Sequence, residues 1–167
     1  SQIQIDIQKM IDTNPCDKDK LEDICEINFG KRITKKNDSV DKNDINAYPV
    51  YGGGDITFYT DKYNRENKTL VMSRFALSER CVRIVKGRFF LNDSGLSLKF
   101  NNYQDYYSYY LYLQQEFIKN KLTEGSIQSN IDMNKLKNLL IDIPKDKSLI
   151  DNLQPTFDKI ELLQKES

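Results

Sequence analysis

The hydrophobic positions of this chain change period twice along its length, and each change predicts a different kind of element. In the opening SQIQIDIQKMID, Ile3, Ile7, Met10 and Ile11 recur at helical spacing, which predicts a short amphipathic helix. TNPCDKDK breaks that pattern with Asn, Pro and charge, so residues 1–20 read as an N-terminal helix and linker. LEDICEINFGK reads as a turn of helix running into a short strand that stops at Gly30, and the polar residues 31–46 read as an exposed loop. The period then falls to two. YPVY, ITFYT, KTLVMS, RCVRIVKG, RFFLN and GLSLKF are short, β-branched or aromatic, and bounded by Gly, Asn or Asp, so each predicts a strand.

At Tyr103 the pattern becomes helical again. YQDYYSYYLYLQQEFIKNKL has no Gly or Pro and predicts one helix of several turns. Tyr106, Tyr110, Leu113 and Phe117 share a face of it, with Tyr109 beside them. Tyrosines so spaced fit a core with wet hydroxyls, the alternative being a base-stacking platform. A loop then leads to a short helix that Asp132 can cap, and LLIDIP reads as a last strand stopped by Pro144. Ile150, Leu153, Phe157 and Ile160 form a seam for a partner helix, with Pro155 as an interruption.

Composition narrows the class. The 167 residues suit one domain, or one domain with a helical appendage, and long enough to bury a real core. No run reaches the length of a membrane-spanning helix and no signal peptide precedes the body, so a cytoplasmic protein is expected. The first residue, Ser1 where Met would stand, points to a processed or excised fragment. Cys16, Cys25 and Cys81 have no CxxC spacing and read as reduced thiols. There is no histidine, which removes the commonest general base, the commonest zinc ligand and every His-dependent nucleophile pair. Carboxylates and lysines remain for catalysis, and a magnesium nuclease built on Asp55, Asp61 and Asp93 is the enzymatic alternative, though no lysine accompanies those acids in a nuclease cluster.

The zero net charge hides a strong asymmetry. Residues 28–88 carry thirteen basic residues against seven acids, and both flanks are net acidic. All six arginines, Arg32, Arg65, Arg74, Arg80, Arg83 and Arg88, lie in that basic segment. Arginine suits bidentate contacts to phosphates and guanine edges, so the clustering points to nucleic acid. The bland alternative is a β-rich region whose solvated faces happen to use Arg.

The Gly52–Gly54 run in YPVYGGGDITFYT is the one stretch suggestive of a ligand cradle. It lacks the Lys of a phosphate-binding loop and is followed by a strand, so it reads as a structural turn joining two strands, with direct ligand contact as the alternative. Asp38, Asp41 and Asp44 lack the glycine and closing glutamate of a calcium loop. No adenine-methyltransferase signature is present, so no metal or cofactor is expected to belong to the chain itself.

Six stretches taken in order resemble the target recognition domain of type I restriction-modification specificity subunits and of related fused restriction-methylation enzymes. They are LEDICEINFGK, YPVYGGGDITFYTDKY, TLVMSR, VKGRFFLNDSGLSLKF, LTEGSIQSNIDMNKLKNLLIDIP and FDKIELLQKE. The resemblance implies an α+β fold. Its twisted, mostly antiparallel β-sheet or partial barrel would have flanking helices and a C-terminal helix leading into a coiled-coil-like spacer. The recognition domain would occupy residues 21–146 and the spacer would begin within 147–167. It further implies sequence-specific binding of double-stranded DNA without catalysis. The partners would be a methyltransferase (M) subunit, with a restriction/translocase (R) subunit as a further candidate. S-adenosylmethionine and Mg²⁺ would then belong to those partner subunits.

On this reading Lys31, Arg32, Lys35 and Lys36 meet phosphates, and Arg74, Arg80 and Arg83 with Ser126, Gln128 and Asn130 read base edges. Lys86 and Arg88 complete the basic set. Strand alternation puts Arg80 and Arg83 on opposite faces, so these arginines are not all expected to touch DNA. At each, a surface Arg paired to a local acid is the alternative. For the whole chain the alternative is a protein-interaction module that associates, with itself or a neighbour, through the C-terminal helix.

Overall fold

Two strands distant in sequence clasp the ends of the fold together. The computed structural model describes residues 2–34, 38–75, 81–126 and 130–159. Helix α1 (Gln2–Thr13) buries Ile7 and Ile11, on the stripe expected of it. Strand β1 (Cys16–Lys20) follows and pairs antiparallel with the last strand, β9 (Leu140–Pro144), from Cys16 opposite Pro144 to Lys20 opposite Leu140. The Lys145 N–H donates to the Pro15 carbonyl and the Leu21 N–H to the Leu139 carbonyl, both at 2.9 Å, extending the ribbon at its two ends. This corrects the expectation of a linker through residue 20. CDKDK has no β-branched or aromatic residue, and its strand form comes from its partner, whose Ile141 and Ile143 are buried.

One turn of helix, α2 (Leu21–Ile24), leads into β2 (Cys25–Phe29), as LEDICEINF predicts. The six strands expected next are β3 (Tyr48–Tyr51), β4 (Phe58–Thr60), β5 (Thr69–Ser73), β6 (Val82–Val85), β7 (Phe90–Leu91) and β8 (Gly95–Phe100). Four strands make an antiparallel sheet in the order β2-β8-β5-β6, and three make a second sheet, β4-β3-β7, in which β3 and β7 run parallel. This is the implied α+β arrangement of mostly antiparallel strands, and neither sheet closes into a full barrel.

Alternation along the strands assigns the two faces of the larger sheet. On β5, Leu70 and Met72 stand opposite Leu98 and Leu96 of β8 and enter the main core. Val71, on the other face, joins Val85, Phe89 and Leu91 in a smaller cluster against Tyr51 of the second sheet.

The tyrosine-rich segment covers the main core, but as two helices, α3 (Gln104–Leu113) and α4 (Gln115–Leu122). The chain turns at Gln114, where φ is −106° and ψ is 15°. That turn carries Phe117 off the expected face and leaves it 66% exposed, while Tyr106, Tyr109 and Tyr110 are buried. Tyr109 stacks on Phe157, with ring centres 4.7 Å apart and planes 10° apart, and the Tyr106 hydroxyl donates to the Asp142 carbonyl. These rings are core and are not free to stack on bases.

Asp132 caps α5 (Met133–Lys137), its carboxylate accepting from the N–H groups of Asn134 at 2.9 Å and Lys135 at 3.2 Å. After α6 (Ser148–Asp151) the helix is interrupted just before Pro155 and resumes over residues 154–159. Ile150 and Phe157 are buried within the chain and Leu153 packs against the same core, so these positions of the expected seam serve this fold and not a partner helix. Ile160 and any spacer beyond it lie outside the described residues. No helix among the described residues is long and apolar enough to cross a membrane.

Candidate nucleic-acid interface

Four of the stretches singled out from the sequence meet at the turn over residues 92–95. Asn92 builds that turn by accepting, at its side-chain oxygen, from the Ser94 N–H at 2.9 Å and the Ser94 hydroxyl at 2.6 Å. The end of β2 presses directly on it: the Gly30 N–H donates to the Gly95 carbonyl, and a Cβ at Gly30 would fall 1.8 Å from the Asn92 carbonyl oxygen. From the second sheet, the Gly53 N–H donates to the Ser94 hydroxyl at 3.1 Å. From the end of β5, the Arg74 N–H donates to the Ser94 carbonyl at 3.0 Å.

Arg74 occupies the middle of the resulting surface. Its Nη1 donates to the Asp93 carbonyl at 3.1 Å and its guanidinium lies 5.2 Å from the centre of the Phe29 ring. Both side chains are exposed. Lys31 and Arg32, also exposed, follow Phe29 and Gly30 out of β2. A fifth segment closes the site from the helical side. Phe75 bridges Asn130, the Ile131 N–H donates to the Arg74 carbonyl at 2.9 Å, and the Asn130 N–H donates to the Ser126 hydroxyl at 3.0 Å. Thus the segments that carry Lys31, Arg32, Arg74, Ser126 and Asn130, all exposed, come together around the turn at 92–95.

Other expected residues lie elsewhere. Arg83 points inward, its side chain 14% exposed, with Nη1 donating to the Gly54 carbonyl and 3.3 Å from the Asp55 carboxylate. At this position the arginine is engaged with a local acid, the alternative to base reading. Lys86 and Arg88 sit beyond the far end of β6. Arg88 lies 5.0 Å from the Tyr63 ring centre and 3.7 Å from Glu66. Because Thr69 pairs with Val85 while Arg74 follows the other end of β5, roughly 13 Å of strand separates the two groups. Lys35, Lys36, Arg80 and Gln128 lie outside the described residues.

Two residues not anticipated as site residues matter here. Phe29 supplies the plate for Arg74, and the available signal was an aromatic at a strand end immediately before Gly30 and Lys31. Arg65 fixes that strand end: it donates to the carbonyls of Asn28 and Phe29 at 3.2 Å each, to the Ser97 hydroxyl at 2.9 Å and to the Asn64 carbonyl at 2.9 Å. Burial lowers its pKa, yet every one of these acceptors is neutral, so a positive charge is held beneath the Phe29 backbone. Among the described residues no group of three or more His, Cys, Asp or Glu side chains is arranged to hold a metal ion.

The same fold is found in solved structures of specificity subunits. The S subunit of a type I restriction-modification system from M. genitalium superposes with a TM-score of 0.71 at 21% identity, over 92% of this chain and 42% of that one. A chain from a structure addressing complex assembly and conformational transition of the type I R-M system gives 0.57 at 13% identity, over 99% and 48%. The HsdS subunit from Thermoanaerobacter tengcongensis gives 0.53 at 14% identity, over 98% and 47%. At such identities the likeness establishes the fold, and this chain spans less than half the length of each. The model of the type I restriction modification DNA specificity domain matches residues 15–167, and the chain belongs to that family, one of non-catalytic recognition components. A search of curated proteins found no match.

Proposed function

We propose that this chain binds double-stranded DNA sequence-specifically, as the target recognition domain of a restriction-modification specificity subunit. It directs a partner adenine methyltransferase, and with it an endonuclease, to one part of a bipartite site. The observation that carries this reading is the convergence around the turn at 92–95 of separate segments bearing the exposed Lys31, Arg32, Arg74, Ser126 and Asn130. Basic groups there neutralise phosphates and set register, while Arg and amide side chains reach base edges. Family membership supports the same reading.

The recognition unit comprises residues 21–146 together with β1, and the spacer begins C-terminal to it. The work of the chain is cytoplasmic and needs no cofactor of its own; S-adenosylmethionine and Mg²⁺ are bound by the M and R subunits. Anisotropy titration on random duplex DNA at low salt tests the proposal, with binding expected to weaken steeply as salt rises. A folded chain that binds no duplex under those conditions sinks it.

A further inference from the structure

Gly52, Gly53 and Gly54 lie side by side, yet the fold does not ask the same of each. A Cβ on Gly52 would fall 2.4 Å from the Ser94 hydroxyl, and one on Gly53 would fall 2.7 Å from the Ser73 hydroxyl. A side chain at either position would therefore force these neighbours to move. A Cβ on Gly54 would meet no described atom within 4 Å, and Gly54 is not in the left-handed region of φ. Neither packing nor backbone conformation calls for glycine at 54. Its missing side chain leaves open space beside Asp55.

Asp55 is held at that opening from beneath. Arg83 reaches from β6 to the Gly54 carbonyl and to the Asp55 carboxylate, and the pair is lopsided: the arginine side chain is 14% exposed and the aspartate 79%. A pair so open to solvent adds little to stability, but it fixes where the carboxylate stands. Ile56, the next residue, is also exposed. The loop tip thus offers a positioned carboxylate with clearance on one side, and Gly53 joins it through Ser94 to the surface that carries Arg74.

On a face that meets a polyanion, a fixed carboxylate is repelled by phosphates unless it accepts a hydrogen bond from a base edge. The major groove displays two amino donors, adenine N6 and cytosine N4. Adenine N6 stands beside the N7 acceptor, which repels a carboxylate, and cytosine N4 has no such acceptor beside it on its own base. We propose that Asp55 is a specificity-determining residue that accepts a hydrogen bond from the N4 amino group of a cytosine in the major groove. Gly54 gives the base pair room to approach, and Arg83 is the positioning residue. This rests on the DNA-recognition reading above.

The test is selection from a random-sequence duplex pool by the full chain, wild type against Asp55→Ala, Gly54→Ala and Arg83→Met, with anisotropy on unselected random duplex alongside. Wild type should enrich sites containing a fixed cytosine. Asp55→Ala should relax that one position by about 5- to 150-fold, leave the others intact, and bind random duplex as well as wild type or better. Arg83→Met should relax the same position, which general loss of stability would not do. Gly54→Ala should unfold at the wild-type temperature yet bind the selected site several-fold more weakly. Asp55→Ala retaining every positional preference of wild type overturns the proposal. A folded wild-type chain that binds no duplex overturns the parent reading and this one with it.

Discussion

The guanidinium of Arg74 rests 5.2 Å from the centre of the Phe29 ring while its Nη1 is tied to the Asp93 carbonyl. Ring and carbonyl together restrict a side chain that is otherwise free to rotate, which lowers the ordering cost of any contact its remaining donors make. Arg74→Ala is expected to weaken binding to a preferred duplex by about 1–3 kcal/mol and to relax preference at one position. Arg74→Lys should rescue little of this, because the ammonium lacks the planar fork. Positional selection with each variant measures both effects.

Lys31 and Arg32 follow β2 into solvent and carry no sequence information in this reading. Replacing each by Gln should weaken binding to all duplexes alike. The slope of log affinity against log salt should become shallower by about 0.9 for each phosphate no longer neutralised. A change confined to one sequence would contradict the assignment.

Gly30 is a structural test. A Cβ placed 1.8 Å from the Asn92 carbonyl oxygen cannot be absorbed by a rotamer change, because the obstacle is backbone. Gly30→Ala is expected to cost about 3 kcal/mol or more. Urea denaturation would show it as a lower midpoint, with DNA binding falling in proportion to folding.

The stacked pair Tyr109 and Phe157 ties the tyrosine helix to the last helical segment. Tyr109→Ala should destabilise the fold by about 3–5 kcal/mol, a change in thermal midpoint that calorimetry reads directly. A variant of wild-type stability with impaired DNA binding would restore the base-stacking alternative.

Burial also sets how the tyrosines respond to alkali. Desolvation raises the phenols of Tyr106 and Tyr109 well above their ordinary range and pushes Tyr107 up to about 12. A phenol raised in the folded state stabilises it fully below the unfolded value of about 10, and that contribution is lost as pH rises through the folded value. For Tyr107 the window runs from about 10 to about 12. Tyrosinate absorbance followed with circular dichroism should show these rings ionising together with unfolding.

Where local pattern governs structure, the sequence was sufficient to anticipate it. The strand from Cys25 to Phe29, the Asp132 cap and the period-two segments all follow from neighbours a few residues apart. What escaped depends on distant partners. CDKDK becomes a strand only because residues 140–144 lie beside it, and the break at Gln114 has no Gly or Pro to announce it. Nothing local tells that β3 and β7 pair in parallel. For the site, the basic segment contributed Lys31, Arg32 and Arg74, whose backbones the fold brings near the turn at 92–95. Arg83 turned inward because its position on β6 pairs with Val71, on the face toward the second sheet, and alternation alone could not say which face that was. Phe29 and Arg65 stayed hidden because their roles are defined by segments more than thirty residues away.

The β1–β9 ribbon gives the chain the geometry of a handle. Everything between Lys20 and Leu140 departs from and returns to adjacent points, because those two residues face each other across the ribbon. Loops on the far side can lengthen, shorten or change side chains without moving the place where the chain comes in or goes out, and the entropic cost of added length grows slowly. Whatever is attached at the handle keeps its position while the reading face is rewritten, so the same anchorage can carry a different vocabulary.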